Sequence, residues 1–239
     1  MTFQLYYFER VSSTMDVLHE LAAGGAEAGT AVVAGEQLEG RGSRGRSWHS
    51  PPGGLWLSVL FRPAQIAGLE VLSLRAGIAV AEVVQTLLPK PLQLKWPNDL
   101  MLEGRKVGGV LCEARWQGDT VGWIVVGVGM NVRNYLPEEL RSVTASLASE
   151  QPDMAPEELA PLVLGALRQL DLAAGQLSAL ELKQFARRDW LRGRQLLEPV
   201  AGTAAGLARD GALLVRTSSG TEVAVRTGPV QLAAVSPSR

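Results

Sequence analysis

Residues 106–132 read KVGGVLCEARWQGDTVGWIVVGVGMNV. Two runs in this stretch, Lys106–Trp116 and Thr120–Val132, are rich in strand-forming residues, and Gln117-Gly118-Asp119 separates them. A short polar connection that contains glycine is typical of a hairpin. The stretch therefore predicts two antiparallel strands joined by a turn. The first strand carries Gly108 and Gly109, which remove side chains where something must lie against the backbone.

Further strands and helices are predicted on both sides of the hairpin. Ser13 and Thr14 open a helix, with Asp16 placed as in a capping box, and Gly24-Gly25 ends it. Strands are predicted at Phe3–Val11, Thr30–Glu36, Leu55–Phe61 and Leu92–Trp96, and helices at Leu69–Leu88 and, as one or two, within Glu157–Leu191. Because the strands follow in meander and hairpin order, the fold class α+β is favoured over a doubly wound parallel sheet.

The C-terminal residues, after Arg194, differ from the rest in their predicted secondary structure. Short β-rich runs alternate with glycine-containing turns after Arg194, at Leu196–Val200, Ala212–Thr217, Glu222–Arg226 and Val230–Ala234. Short strands at this spacing predict a small barrel. A domain boundary is therefore expected near residues 191–194, which divides the chain into a main domain, 1–191, and a C-terminal domain, 192–239.

Composition excludes several classes of protein. The 239 residues contain 23 Lys plus Arg and 24 Asp plus Glu, so the net charge is -1 and no global attraction to nucleic acid or an anionic membrane is expected. Cys112 is the single cysteine and has no partner for an internal disulfide. The N-terminus does not resemble a signal peptide, and no apolar run approaches the roughly 20 residues that span a bilayer. A cytoplasmic protein without membrane segments is expected.

The stretch from Leu38 to Gly54 is a long loop, and Gly40–Trp48 within it, which we call the Gly-Arg loop, reads GRGSRGRSW. It satisfies G-x-G-x-x-G and resembles a P-loop, but both motifs need a helix to follow, and Pro51-Pro52 comes instead. Glycines allow close approach of the backbone to a ligand, and arginines suit carboxylate and phosphate groups. The alternative is a solvated basic loop, or one that binds RNA electrostatically.

A second group of polar residues lies around Lys95-Trp96-Pro97-Asn98-Asp99, a strand end followed by a turn. Asp99 is a candidate ligand for Mg²⁺, which favours one or two carboxylates with phosphates completing its shell. Lys106 comes seven residues later. Taken alone, Asp99 suits an Asx-turn and Lys106 a solvated strand start. Together with the Gly-Arg loop, Asp99 and Lys106 indicate a site for ATP and an anion.

These stretches resemble the signature motifs of biotin protein ligases. The similarity rests on the loop Gln37…Trp48, the turn Lys95–Asp99 and Lys106-Val107-Gly108-Gly109, with further matches at Ser13-Thr14, Gly127–Asn131 and Gly211–Val215. The resemblance implies a catalytic domain of the class II aminoacyl-tRNA synthetase-like, biotin/lipoate ligase type, with a mixed β-sheet and flanking helices. It also implies a C-terminal SH3-like barrel.

The resemblance also implies an activity. Such ligases make biotinyl-5′-AMP from biotin and MgATP and then transfer biotin to one lysine of a biotin carboxyl carrier protein, as in acetyl-CoA carboxylase. ATP, Mg²⁺ and biotin are therefore the expected small-molecule partners. Many relatives dimerise through a sheet edge, for which the stretch after Gly109 is a candidate. Some relatives carry an N-terminal DNA-binding domain, whereas this chain enters its first predicted strand at Phe3, so no DNA binding is expected.

The roles of individual residues follow by resemblance. Lys106 and Arg41 are the expected catalytic residues, with Lys106 meeting the biotin carboxylate and the reacting phosphate. The expected biotin-binding residues are Ser13, Thr14, Gln37, Arg41, Gly42, Ser43, Lys106, Gly108 and Gly109. The expected ATP-binding residues are Arg44, Arg46, Trp48, Asn98, Asp99 and Asn131, with Asp99 as the candidate Mg²⁺ ligand.

Two positions depart from the pattern of the family. Met15 stands where many relatives carry a polar residue, which removes a hydrogen bond to biotin or adds a core contact. Ser43 replaces an arginine of the family's loop, which predicts faster escape of the acyl-adenylate. Neither His19 nor His49 belongs to a constellation that identifies the base for the second step, and His19 is expected to be a surface residue of the first helix.

Two other functions stay open. A lipoate ligase shares the broad fold and chemistry, although the Gly-Arg loop argues against it. A non-catalytic nucleotide- or RNA-binding module, by contrast, has no need of Asp99 or Lys106. Pyrophosphate release that depends on biotin or on lipoate distinguishes the three.

Overall fold

The computed structural model describes residues 4–63 and 67–233. The predicted start of the first strand at Phe3 and the predicted end of the last at Ala234 lie outside these ranges. The larger sheet has seven strands in the order β1-β2-β3-β7-β6-β5-β4. Its strands are β1 Leu5–Val11, β2 Ala31–Gln37, β3 Leu55–Phe61, β4 Leu92–Lys95, β5 Asp99–Leu102, β6 Arg105–Gln117 and β7 Thr120–Met130.

The sheet is mixed, with one parallel pair. Strands β1 and β2 run parallel because the helix α1, Thr14–Ala23, connects them, and all the other neighbouring pairs are antiparallel. The predicted hairpin is confirmed as β6–β7, which extends from Gly108↔Met130 to Gln117↔Thr120. Past Gly109 the described residues pair β6 with β7 alone among the strands, so this part of β6 forms an edge.

Helices cover both faces of the sheet. Helix α1 packs a small core of Met15, Leu18 and Ala22 against one face, where Leu60 of β3 meets it. The other helices, α2 Leu69–Gln85, α3 Pro156–Leu167 and α4 Ala179–Arg188, lie with the larger core on the opposite face. All seven residues of β3 are therefore buried, since each of its alternating sides meets a helix layer.

The second sheet has five antiparallel strands in the order β11-β10-β9-β8-β12. They are β8 Gln195–Glu198, β9 Gly202–Leu207, β10 Leu213–Arg216, β11 Glu222–Val225 and β12 Gln231–Leu232. Its buried side chains, such as Leu213 and Val215, belong to the same apolar cluster as those of α2 and β4. Trp96 Nε1 also donates to Gly211 O at 2.9 Å. The boundary at 191–194 stays a prediction.

Three differences from the predicted elements have local causes. Strand β5 begins at Asp99, inside the predicted turn, because Asp99 pairs with both Lys95 and Gly109. Strand β9 was not predicted, since its sequence GTAAGL has few strand-forming residues. Ser13 caps α1 by accepting from Met15 N, but Asp16 makes no capping box because its carboxylate receives Arg41.

None of the helices in the described residues is long and apolar enough to cross a membrane.

A buried arginine, Arg75, connects two helices of the larger core. Arg75 of α2 donates to Glu181 Oε1 of α4 at 2.6 Å and to three backbone carbonyls between residues 171 and 176. Because its donors are paired, these contacts compensate for the desolvation of the buried charge and fix α4 against α2.

Candidate active site

A cavity of about 480 Å³ opens on the α1 side of strands β3 and β7, and we call it the sheet cavity. Two glycines of β7 leave space in its wall. A Cβ atom added to Gly127 would lie 2.9 Å from Met15 Sδ, and one added to Gly129 would lie 2.7 Å from Trp48 Nε1. Met15 and Trp48 therefore rest directly on the β7 backbone, as only glycine allows. Met15 makes the core contact that its apolar side chain predicts.

The polar end of the sheet cavity is a network of neutral side chains. Gln37 Oε1 accepts from Thr14 N at 2.9 Å and from Thr14 Oγ1 at 3.0 Å. Thr14 Oγ1 lies 2.8 Å from Ser58 Oγ, and Gln37 Nε2 donates to Ser50 Oγ at 3.0 Å. Ser13, which caps α1, also lines the cavity. This end can exchange hydrogen bonds with a ligand's amide-like groups but offers no charge.

Lys106 places a positive charge on the wall of the sheet cavity. Its Nζ lies 2.6 Å from Asp99 Oδ1 and 4.9 Å from the centre of the Trp48 ring. A Cβ on Gly109 would stand 3.6 Å from Lys106 Nζ, an ordinary contact distance, so the lysine side chain lies alongside this glycine. The Lys106–Asp99 contact has ion-pair but not hydrogen-bond geometry. Asp99 Oδ1 is buried and has no hydrogen-bond donor among the described residues.

Arg41 is held between two carboxylates at the rim of the sheet cavity. Its Nη1 donates to Asp16 Oδ1 at 2.5 Å, and its Nε lies 3.4 Å from Glu113 Oε1. Partial burial opposes the charged guanidinium, but the contacts with Asp16 and Glu113 outweigh it and raise the pKa of Arg41. Arg41 thereby anchors the start of the Gly-Arg loop to α1 and β6.

The expectation of a surface histidine at position 19 is wrong. His19 is 8% exposed, and it packs on the buried side of α1 that also carries Met15, Leu18 and Ala22. Its ring lies 3.0 Å from Glu113 Oε2 through Nε2 and accepts a hydrogen bond from Trp123 Nε1 through Nδ1. The residues 15, 18, 19 and 22 follow helical spacing, so the periodicity contained this signal.

A second cavity, the loop cavity, has about 860 Å³ of empty volume. Its wall comes from the Gly-Arg loop, the β4–β5 turn, β6 and the segment Gly228–Val230. Arg44, in a left-handed conformation with φ 61°, donates to Gly228 O. Arg46 donates to Ser43 Oγ at 3.1 Å. As expected, no helix follows the glycines, and Ser43–Gly45 form only a short 3₁₀ turn.

Two further residues that line the loop cavity, Lys95 and Cys112, have shifted pKa values. Burial lowers the pKa of the Lys95 ammonium, and the charges of Lys106 and Arg46 act in the same direction while Asp99 opposes them. Lys95 Nζ also lies 5.3 Å from the centre of the Trp190 ring. Burial raises the pKa of the Cys112 thiol to about 12, although a contact with Ser73 opposes this.

Most of the predicted site residues line one of the two cavities, and the two cavities share a wall. Ser43, Asn98, Val110 and Leu111 line both. The predicted residues in the sheet cavity are Ser13, Thr14, Gln37, Arg41, Gly42, Ser43, Trp48, Asn98, Lys106 and Gly109. Those in the loop cavity are Ser43, Arg44, Arg46, Asn98 and Asp99.

Two predicted residues line neither cavity. Asn131 is buried, and its side chain is bonded to Asn134 and to Ala145 O. Gly108 serves close packing, since an added Cβ would lie 2.8 Å from Gly129 O. The sequence interpretation omitted Ser58 from the site; the signal was one serine in the otherwise apolar strand LWLSVLF. It also gave Lys95 no binding role.

No group of three or more His, Cys, Asp or Glu side chains that could hold a metal occurs among residues 4–63 and 67–233. Asp99 is a single carboxylate with an unbonded buried oxygen on the wall of the loop cavity. This donor set fits Mg²⁺, which commonly takes one or two carboxylates and completes its shell with water and substrate phosphates.

Comparison with known proteins identifies relatives over almost the whole chain. Residues 7–131 match the model of the biotin/lipoate A/B protein ligase family. The bifunctional ligase/repressor BirA of Bacillus subtilis is 33% identical over 228 residues, covering 90% of this chain and 70% of that protein. The biotin–[acetyl-CoA-carboxylase] ligase of Paracoccus denitrificans is 31% identical over 218 residues, covering 80% of this chain and 86% of that protein.

A solved structure shares the fold. The biotin protein ligase from Aquifex aeolicus, solved in complex with biotin and ATP, superposes with a TM-score of 0.81 at 28% identity and covers 97% of this chain and 99% of that chain. The predicted fold class is confirmed: a seven-stranded mixed sheet with flanking helices, followed by a five-stranded antiparallel sheet. The family match and these similarities show that the chain belongs to the biotin/lipoate A/B protein ligase family, among its biotin protein ligases.

Proposed function

We propose that this chain activates biotin with MgATP and transfers it to a lysine of a biotin carboxyl carrier domain, with the carrier of acetyl-CoA carboxylase as the expected acceptor. The relatives named above as biotin ligases support this assignment. A single observation carries it at the level of the site. Two cavities of different chemistry share a wall, and the Lys106–Asp99 pair stands between them.

The sheet cavity suits biotin. The bicyclic head of biotin is apolar except for a ureido group with two N–H donors and one carbonyl, which matches the neutral network of Thr14, Gln37 and Ser58. With the head at this end, the carboxylate at the end of the acyl chain points toward Lys106 and the shared wall.

The first chemical step joins the contents of the two cavities. A biotin carboxylate oxygen attacks the α-phosphorus of ATP, the new C(O)–O–P bond forms, and the bond to the β-phosphate oxygen breaks to release pyrophosphate. Both reactants are anions, so the ammonium of Lys106 offsets the charge that accumulates between them. Lys95 and Arg46 of the loop cavity offer cations to the departing polyphosphate.

Asp99 is the residue that would hold Mg²⁺. A bound Mg²⁺ neutralises phosphate charge. Asp99 lines the loop cavity, and its Oδ1 already lies 2.6 Å from Lys106 Nζ, so a bound Mg²⁺ would share this carboxylate with the ammonium.

The second step breaks the mixed anhydride. The uncharged amine of the acceptor lysine attacks the acyl carbon, an amide bond forms, the nitrogen loses a proton, and AMP leaves. Arg41, Gly42 and Ser43 of the Gly-Arg loop line the sheet cavity, where they would cover the acyl-phosphate until the acceptor arrives. The acceptor amine has a reference pKa near 10.4, so only a small fraction is uncharged at neutral pH.

Acid-dependent pyrophosphate formation tests this function. The protein is incubated with ATP and Mg²⁺, with biotin, with lipoate or with neither, and pyrophosphate is followed by a coupled assay. We expect formation with biotin alone, and mass spectrometry should then show one biotin on an apo carrier domain of acetyl-CoA carboxylase. Formation with lipoate and not biotin would assign the other branch of the family, and none with either acid would refute an activating enzyme.

A further inference from the structure

We propose, resting on the proposed function, that His19 is a positioning residue of this ligase. It acts through Glu113, whose carboxylate holds the guanidinium of Arg41 at the rim of the sheet cavity. His19 itself does not line either cavity, so it touches no substrate. Its effect must travel through the side chains between it and the Gly-Arg loop.

The hydrogen bonds of His19 determine where its proton lies. The indole N–H of Trp123 can only donate, and it points at Nδ1 with a separation of 2.9 Å. Nδ1 must therefore accept, which leaves the ring proton on Nε2. Nε2 then donates to Glu113 Oε2 at 3.0 Å. Trp123 thus selects one tautomer, and that tautomer directs a donor at Glu113.

Glu113 is the residue that this donor orients. Its carboxylate also lies 3.4 Å from Arg41 Nε and 3.8 Å from Arg115 Nη2. The hydrogen bond from His19 is the largest influence on the Glu113 pKa, and with the charge of Arg41 it lowers that pKa despite partial burial. The carboxylate is therefore ionised at neutral pH.

Arg41 receives two anchors from this arrangement. Asp16 holds Nη1 from α1, and Glu113 holds Nε and Nη2 from β6. Asp16 lies three residues before His19, so one turn of α1 supplies both an anchor and the residue that orients the other anchor. The same helix begins with Thr14 at the polar end of the cavity. The rim and the polar end are thereby fixed relative to each other.

A purely structural role explains the burial of His19 less well. The neighbouring buried positions of α1 are Met15, Leu18 and Ala22, and a leucine at position 19 would suit that apolar core. A buried imidazole needs partners for both nitrogens, and here both partners are supplied. One of these partners, Glu113, contacts Arg41 of the Gly-Arg loop directly.

The test uses the full-length chain and biotin-dependent pyrophosphate exchange. We expect His19→Leu to raise the KM for biotin roughly tenfold, with a KM for ATP within about twofold of wild type, as for losses of residues that orient a ligand-binding group. His19→Gln, which retains a donor, should recover most of the loss. Glu20→Leu, at the exposed neighbouring position on α1, is the matched control and should leave both constants unchanged. Circular dichroism melting of each variant separates folding from function.

A double-mutant cycle identifies the route. Biotin affinity is measured by calorimetry for His19→Leu, Arg41→Ala and the double variant. Because His19 acts through Arg41, adding His19→Leu to Arg41→Ala should change the affinity less than about twofold. Equal effects in both backgrounds would overturn the proposal, and so would an unchanged KM in His19→Leu.

Two further outcomes keep the inference separate from the function it rests on. A wild-type chain without biotin-dependent exchange refutes the proposed function and the positioning role together, whereas an active wild type with an indifferent His19→Leu refutes only the latter. If His19→Leu fails to fold, Trp123→Phe removes the donor to Nδ1 and leaves an aromatic ring in place. It should raise the KM for biotin in the same direction, and an unchanged KM there contradicts the proposal.

Discussion

The sheet cavity and the loop cavity adjoin each other but are built differently. The sheet cavity rests on β3 and β7, which pair over seven consecutive residues, Leu55↔Met130 to Phe61↔Ile124. The loop cavity is enclosed by β6 together with segments from the Gly-Arg loop, the β4–β5 turn and residues 228–230. Paired strands hold side chains more rigidly than loops do. We therefore expect the sheet cavity, proposed for the acid, to be more rigid than the loop cavity, proposed for the nucleotide.

The two cavities also differ in charge. Thr14, Gln37 and Ser58 satisfy one another with neutral hydrogen bonds, so a ligand must match a fixed pattern of donors and acceptors. The loop cavity brings Lys95 and Arg46 near one carboxylate, Asp99, which Lys106 already faces. A pattern of neutral hydrogen bonds discriminates between ligands, and an excess of cations attracts phosphate. We expect acid specificity and nucleotide affinity to be separable by mutation.

The largest effect should come from the residue between the two cavities. Lys106→Ala removes the ammonium that offsets charge on both reactants, and we expect adenylation to slow by about 10³-fold. Biotin-dependent pyrophosphate exchange measures it. Lys183→Ala, at an exposed position of α4, is the matched control and should retain full activity. A loss below about tenfold in Lys106→Ala would show that the cation is not central.

The next largest effect should sharpen the description of the sheet cavity. Ser58→Ala removes the hydroxyl that meets Thr14 Oγ1 and adds no atoms to this buried position. A buried hydrogen-bonding group left unmatched costs about 1–3 kcal/mol, so we expect the KM for biotin to rise about tenfold. The KM for ATP should stay the same, and steady-state kinetics with each substrate varied would show it. Equal increases for both substrates would contradict separate cavities.

For the loop cavity we expect the reverse, a change in the KM for ATP without a change in the KM for biotin. Lys95→Met removes a buried cation and keeps an unbranched chain, so we expect the KM for ATP to rise roughly fivefold and that for biotin to stay unchanged. Thermal stability should not fall, because the variant no longer has to bury a charge. Lys95→Arg is the control that keeps the charge. A lower melting temperature with unchanged KM for ATP would assign Lys95 a packing role.

The smallest effect concerns the wall that both cavities share. Ser43→Arg introduces the guanidinium that the resemblance leads us to expect in this loop, and we expect biotinyl-5′-AMP to dissociate about threefold more slowly. The released adenylate can be followed after rapid dilution of the preformed complex. Ser43→Ala controls for the lost hydrogen bond from Arg46. Equal off-rates for wild type and Ser43→Arg would remove the proposed reason for escape.

Much of the site could be predicted because its residues form short, dense motifs. The loop from Gly40 to Trp48 and the pair Asp99 and Lys106 combine glycine, cations and a carboxylate within short spans, and these residues line the cavities. The hairpin of β6 and β7 was equally visible, since its strands are long and rich in valine. Local patterns of this kind can be recognised in the amino-acid sequence without the structure.

The remainder depends on pairs that are distant in sequence. His19 meets Glu113 across 94 positions and Trp123 across 104 positions, so no local pattern connects them. Ser58 sits in a strand buried on both sides, where periodicity cannot separate a ligand-facing position from a core position. Strand β5 was hidden because Asn98 and Asp99 are turn-forming residues, although Asp99 pairs on both of its edges.

The hydrogen bond from Arg44 to Gly228 O has a consequence for the order in which the protein matures. It joins residues 184 positions apart, whereas every residue that lines the sheet cavity lies before position 130. Since a ribosome delivers the N-terminal part of a chain first, the sheet cavity has all its residues while synthesis continues. The loop cavity gains its last wall only when synthesis is nearly complete. The residues of the sheet cavity are therefore all present during synthesis before those of the loop cavity are.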